Sequence, residues 1–384
     1  MTAPPPGRPG PATPDPTGQG AVPKVAVADE ALSLRDQSLA ALDEGHPGRA
    51  LEIAAKAVAA LEAGGLRGGL DEAAVLIARA EIEEAVDRLD DARATIVAAI
   101  ALLTSAADDA DDDTVTLWCQ AQERMADLER LSGDFAAAAG RLCAVLDRAS
   151  ASLGEASRVV ASAANALGVV YKNQSDFGAA EAAYQRAADA AAGMADPDPL
   201  LEAALLHNLG GLAHSRGDAA SGIPLAERGA ALRADVLGPD HPDVARDLNA
   251  LGALYHLAGR YDDAARAYSQ ALTTFEESYG PDHFEVAMTC ANLAVLHGDQ
   301  GDHAQAESLG RRSLEILTAI LGPDDAEVGL TLLNLSAAAA GQGKKAEAAK
   351  LASQAEAILA DRLPPGHPHV LAAAEAVEGY GRPA

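Results

Sequence analysis

A chain of 384 residues would ordinarily make two or more globular domains, unless it is built from units that pack only on their neighbours. Hydrophobic residues reach 49% but aromatic ones only 3%, so Ala, Leu and Val must supply the interior, which suits closely approaching helices and disfavours sheets and large aromatic pockets. The formal charge of -28 repels phosphate backbones and anionic lipids, so neither nucleic acid nor a membrane surface is an expected partner.

Residues 1–23 hold eight of the 20 prolines, with Gly, Thr and Gln between them, and predict a disordered tail. They lack the charged start and apolar run of a signal peptide. No later stretch approaches the ~20 apolar residues that span a bilayer. Cys119, Cys143 and Cys290 fit no zinc or disulfide spacing, which points to a reducing compartment. A soluble cytoplasmic protein is therefore expected.

From about Val27 to Gly379 the pattern is helical, and it repeats. Leu237-Gly238-Pro239-Asp240-His241 returns 42 residues later as Tyr279-Gly280-Pro281-Asp282-His283. It returns again as Leu321-Gly322-Pro323-Asp324-Asp325 and, weakened, as Leu363-Pro364-Pro365-Gly366-His367. Gly-Pro stops one helix, and Pro242 suits the first turn of the next. One small-residue column runs Ala126, Gly168, Gly210, Gly252, Ala294 and Ser336. Another runs Ala138, Ala180, Gly222, Ala264, Ala306 and Ala348, and turns recur at Gly133, Ser175, Gly217, Gly259, Gly301 and Gly343. Small residues stand where two helices must approach closely. Allowing four extra residues near Asp108–Asp113, eight helix A–turn–helix B units are predicted: about 27–66, 67–112, 113–155, 156–198, 199–240, 241–282, 283–324 and 325–366. The repeat region thus covers 24–366. Residues 367–384 would supply a capping helix over 368–379 and a short tail.

The helix-A pattern Leu248-Asn249-Ala250-Leu251-Gly252-Ala253-Leu254-Tyr255 resembles the tetratricopeptide repeat, as does the helix-B pattern from Tyr261 to Leu272. The Gly-Pro-Asp-His-Pro loop and the 42-residue period look like the kinesin-light-chain subtype. This chain departs from the pattern by carrying Leu206 or Leu248 where a Trp is usual, and Ala226 and Gly310 at an aromatic helix-B position. The resemblance implies an all-α, right-handed superhelical solenoid whose concave face binds extended peptides or helices.

Catalytic motifs are not found. Gly64-Gly65-Leu66-Arg67-Gly68-Gly69 lacks phosphate-loop spacing and reads as a linker, and there is no His-Glu-x-x-His or Cys-x-x-Cys. The run Asp108–Asp113 lacks the glycine and distal glutamate of a calcium loop, so it reads as a solvated acidic loop. Glu83-Glu84 reads as a surface pair. No enzyme activity, cofactor or metal is expected.

Carrying the family register onto this chain places Arg124 and Arg130 on the concave face, with Asn165, Lys172, Asn208, Arg246, Asn249, Asn292 and Asn334. Glu123, Asp127, His207, His214 and His256 share that register. Asparagine amides both donate and accept, so a ladder of them can pair with the backbone of an extended ligand. Arg124, Arg130, Lys172 and Arg246 outnumber Glu123 and Asp127, which points to a partner protein or peptide carrying carboxylates. The expected function is a non-catalytic interaction scaffold. The alternative is a regulatory module whose curvature responds to a signalling peptide or small ligand and acts through a separate effector.

Overall fold

The computed structural model describes residues 24–105 and 111–381; the Pro-rich segment 1–23 and Asp108–Ala110 lie outside them. Among the described residues every regular element is a helix, and sixteen of the helices form antiparallel pairs. The pairs are α1 (Lys24–Asp43) with α2 (Pro47–Ala63), α3 (Leu70–Ala85) with α4 (Leu89–Ser105), and α5 (Asp112–Leu131) with α6 (Phe135–Leu153). Then follow α7 (Arg158–Asn173) with α8 (Phe177–Ala192), α9 (Pro199–Ser215) with α10 (Ala219–Leu237), and α11 (Pro242–Leu257) with α12 (Tyr261–Tyr279). The last are α13 (Phe284–Asp299) with α14 (His303–Leu321) and α15 (Ala326–Gly341) with α16 (Lys345–Arg362), before a single helix α17 (Pro368–Tyr380). The chain is an all-α repeat solenoid.

Local chemistry explains the punctuation. The turn inside each pair needs one left-handed residue, and the column from Gly133 (φ 81°) to Gly343 (φ 77°) supplies it. Ser175 adopts the same conformation without being glycine (φ 60°). Asp134, Asp176, Asp218 and Asp302 then cap the second helix, each accepting from the backbone N–H three residues on. Such a cap contributes about 1 kcal/mol. Between pairs, His241 and His283 accept at Nδ1 from the N–H of Asp243 and Glu285, at 3.1 and 3.2 Å. The repeated Gly-Pro-Asp-His loop is thus a helix stop joined to a helix start.

The small column is a packing device. A methyl group on Gly168 would come within 2.4 Å of the Tyr184 ring, and one on Gly252 within 2.7 Å of Tyr268. Where the tyrosine is absent, a leucine from the next repeat fills the gap. Leu254 packs with Ala226, and Leu335 reaches to within 2.9 Å of where a Gly310 Cβ would lie. The core is accordingly a succession of clusters along the rod. The last of them holds Val328, Leu359 and Ala373, the last from α17.

One expectation is overturned. Glu83 is not a surface residue: it is fully buried, accepting from Arg79 Nε and Thr95 Oγ1 at 2.7 Å each. Its register in α3 turns it toward α4, and those two donors offset its desolvation. Glu129 is likewise buried one repeat later and pairs with Arg141. A third buried acid, Asp247 (3% exposed), accepts from His207 Nδ1 at 2.7 Å and pairs with Arg233 at 2.8 Å, tying α9, α10 and α11 together. Of the acidic run, Asp111 caps α5 by accepting from the Thr114 N–H at 2.9 Å, and Asp112 and Asp113 lie in its first turn. No helix of the described residues is long and apolar enough to cross a membrane.

Candidate functional site

Successive A helices share one open face. Its N-terminal part is a groove of about 710 Å³ built from α1, α3, α5 and α7. Arg35, Glu81, Glu123, Arg124, Asp127, Arg130, Ser162 and Asn165 line it, with Leu39, Ile77 and Val169 between them. Of the residues expected at the site, Arg124, Arg130 and Asn165 are therefore brought together. Arg246 stands apart. It lines a second cavity of about 590 Å³ with His241, Tyr279 and His283, which the α1–α2 turn closes through Leu42, Gly45 and Pro47.

The cations of the face are mostly answered within the protein. Arg124 pairs with Glu81 at 2.7 Å and lies 4.0 Å from Glu84. Arg130 meets Asp127 at 3.4 Å. Arg246 donates to Glu285 at 2.9 Å and to the Tyr279 hydroxyl at 3.1 Å, and also pairs with Asp243. Lys172 is the exception, with no ion pair among the described residues. Its pKa is lowered, chiefly by burial and then by the charge of Arg130. Its Nζ lies 3.4 Å from where a Cβ on Gly211 would sit, so it lies across α9.

Glu123 is the anomalous acid of the groove. Burial pushes its carboxyl up to about 7, against the opposing effect of the Ser162 hydroxyl, which donates to it at 2.6 Å. Asp127 raises it further. The register placed Glu123 on this face, but nothing in the sequence marked it as half-buried.

The asparagines occupy two adjacent register columns and pair across repeats. Asn208 donates to the Asn165 side-chain oxygen at 2.8 Å, and Asn292 donates to that of Asn249 at 3.2 Å. Each pair leaves further amide hydrogens and lone pairs free to face a ligand. Asn334 is not part of a pair. It lines a notch of about 220 Å³ with Val295, Gly298, His303 and Gly310, where the buried His303 Nδ1 has no partner.

Four of the basic residues on this register form a column of their own. Arg130, Lys172, His214 and His256 follow one another at intervals of 42 residues in the last turn of α5, α7, α9 and α11. His256 Nε2 contacts Asp299 at 2.8 Å. His214 and His256 line a cavity of about 420 Å³ with Tyr261, Asn292 and Asp299. The pKa of His214 is lowered by burial first, then by His256 and Lys172.

Comparisons with known proteins agree with this architecture. Residues 201–277, 258–319 and 285–361 match one tetratricopeptide-repeat family model, and residues 160–191 match a second. No curated protein matches the chain. Among solved structures, the chain is similar to a Rap protein complexed with competence and sporulation factor, at 11% identity and a TM-score of 0.56, covering 92% of this chain and 98% of that one. It is also similar to a signal-transduction ATPase with a tetratricopeptide-repeat sensor from Pyrococcus horikoshii, at 13% identity and a TM-score of 0.56, over 86% and 49% of the two chains. BtubC (BKLC) from P. vanneervenii matches at 21% identity and a TM-score of 0.47, over 67% and 94%. At these identities the likeness is one of fold. With its paired helices, repeating columns and matched repeats, the chain belongs to the tetratricopeptide-repeat family.

Proposed function

We propose that the chain is a non-catalytic interaction scaffold that takes an extended peptide or protein segment along its A-helix face. The observation carrying this reading is the pair of asparagine bridges, Asn165–Asn208 and Asn249–Asn292. Each bridge orients two amides that an adjacent backbone can satisfy without reference to side-chain sequence. A scaffold role also fits the motif-free sequence. The Rap protein of similar fold is complexed with competence and sporulation factor, which supports a binding role for this chain.

The ligand's acidic character, expected from four cations, is reduced to a narrower basis. Arg124, Arg130 and Arg246 already have acidic partners, so the attraction for a ligand carboxylate centres on Lys172. A randomised peptide library selected on the full chain tests the reading. Peptides enriched on the parent and lost on an Asn208→Ala, Asn249→Ala variant of equal helicity support it. Equal enrichment on both moves binding off this face.

A second reading is favoured by the cavity between the α1–α2 turn and Tyr279. A ligand that displaced this contact would alter the curvature of the rod, as a regulatory module requires.

A further inference from the structure

Four arginines line the groove between α1, α3, α5 and α7, and each already has an acid. Arg35 pairs with Asp36 at 2.7 Å, Arg124 with Glu81 at 2.7 Å, Arg130 with Asp127 at 3.4 Å and Arg158 with Asp198 at 2.7 Å. Arg124 also lies 4.0 Å from Glu84, so two carboxylates share its charge. One acid of the lining is left over. The half-buried Glu123 has no ion pair among the described residues. Its carboxyl accepts one hydrogen bond, at Oε2 from the Ser162 hydroxyl 2.6 Å away, and Oε1 has no donor among the described residues. The ionisable group that a ligand can complete in this groove is therefore an acid, on a face whose register reads as basic.

We propose that Glu123 is the receptor for a primary ammonium, the end of a lysine side chain in the segment bound along the A-helix face. This rests on the scaffold reading and names a chemistry for the N-terminal part of that face. A single free oxygen suits a compact ammonium, whereas a guanidinium is best matched by a carboxylate with both oxygens available. Leu39, Ile77 and Val169 stand between the charged groups and offer an apolar wall to the methylenes of a lysine stem. Asn165 lines the same groove and, bridged to Asn208, supplies an amide for the backbone that carries the lysine. A groove of about 710 Å³ has room for both.

The same site predicts how binding responds to pH. Cys119, Arg124 and Asp127 stand near the Glu123 carboxyl on α5, and Arg158 and Ser162 on α7. Glu81 of α3 reaches it through Arg124, and Arg35 and Asp36 of α1 line the same groove. Burial holds the carboxyl of the empty site up at about 7, so it is partly protonated near neutrality. An ammonium favours the carboxylate and displaces that proton. Binding should strengthen as pH rises toward about 7, by up to about tenfold per pH unit, and level off above it.

The test is selection of a randomised, end-capped peptide library on the full chain, then titration of the best lysine peptide beside its norleucine and arginine analogues. Lysine should be enriched at one position, and norleucine there should weaken binding by about tenfold. A chain of charge -28 attracts cations everywhere, so Glu123→Gln of equal helicity is the deciding comparison. It should erase the gap between lysine and norleucine and leave the norleucine peptide bound as before. A lysine preference that survives Glu123→Gln overturns the proposal, as does an arginine analogue that binds as tightly as lysine. On the parent alone, affinity that is flat or falling between about pH 5 and 7 overturns it as well. Peptides enriched with no preference for lysine overturn the ammonium site and leave the scaffold reading standing. No enrichment of any peptide removes both.

Discussion

Gly45, in the turn between α1 and α2, lies against the ring of Tyr279 at the end of α12, although four repeats lie between them along the rod. A Cβ on Gly45 would come within 3.1 Å of both Tyr279 Cδ1 and Cε1. Gly45 is also left-handed (φ 77°), so a side chain there is disfavoured twice. Tyr279 is held in place by His283, whose ring centroid is 4.3 Å away, and by a stacked Phe275 at 6.2 Å. The solenoid's first turn is thus fastened to its sixth pair by a small contact that crosses no repeat interface.

Because that contact is small, Tyr279→Ala should loosen the closure without unfolding the repeats. Small-angle scattering should show a larger radius of gyration with unchanged helical circular dichroism. The stability cost should stay at about 1 kcal/mol. An unchanged radius would mean that nearest-neighbour packing alone sets the curvature.

Glu123 gives a pH dependence whose sign is determined by its raised pKa. A carboxyl titrating at about 7 in the fold and at ~4.3 unfolded favours the protonated native state. Its contribution is complete below ~4.3 and is lost as pH rises toward about 7, by at most about 4 kcal/mol. Urea midpoints measured across this window should fall with rising pH more steeply for the parent than for Glu123→Gln. Parallel curves would show that the carboxyl is better solvated than its burial implies.

The small-residue column predicts opposite outcomes for two chemically identical substitutions. At Gly252 an added methyl would strike the Tyr268 ring at 2.7 Å, so Gly252→Ala should destabilise by about 1–3 kcal/mol. At Gly210 the nearest atom is the Ala226 methyl at 3.4 Å, so Gly210→Ala should be neutral or stabilise by up to about 1 kcal/mol through helix propensity. Chemical denaturation of the two variants checks the pair. If both destabilise equally, the opposing tyrosine is not the cause.

Asp247 should be costly to remove alone. Asp247→Ala leaves Arg233, whose side chain is 16% exposed, with only a longer contact to Asp243 at 4.0 Å and deprives His207 of its acceptor. A loss of about 3 kcal/mol is expected. An Asp247→Leu, Arg233→Met double variant should recover most of it, because no uncompensated charge remains. Denaturation midpoints read both. A double variant as weak as the single would mean that packing, and not charge, is what Asp247 supplies.

Lys172→Met should raise stability by a few tenths to about 1 kcal/mol, by relieving a partly buried cation that has no ion pair among the described residues. The thermal midpoint is the readout. A fall in stability would show that the ammonium is satisfied in the unliganded protein.

The repeat period alone determined the helix pairs, the turns and the small positions. These depend on interactions within one unit or between neighbours, which the 42-residue columns repeat six times over. The same columns carried the asparagines and the basic run from Arg130 to His256. A register, however, specifies only a face. Tertiary packing decided that Glu83 is buried and that Arg124, Arg130 and Arg246 are neutralised by acids on adjacent helices, leaving Lys172 as the unanswered cation. It also separated Arg246 from the groove and brought Gly45 onto Tyr279. Charge compensation depends on which side chains come within a few ångströms across helices, and superhelical closure on small rotations accumulated over five interfaces. Neither is written in the spacing of one repeat.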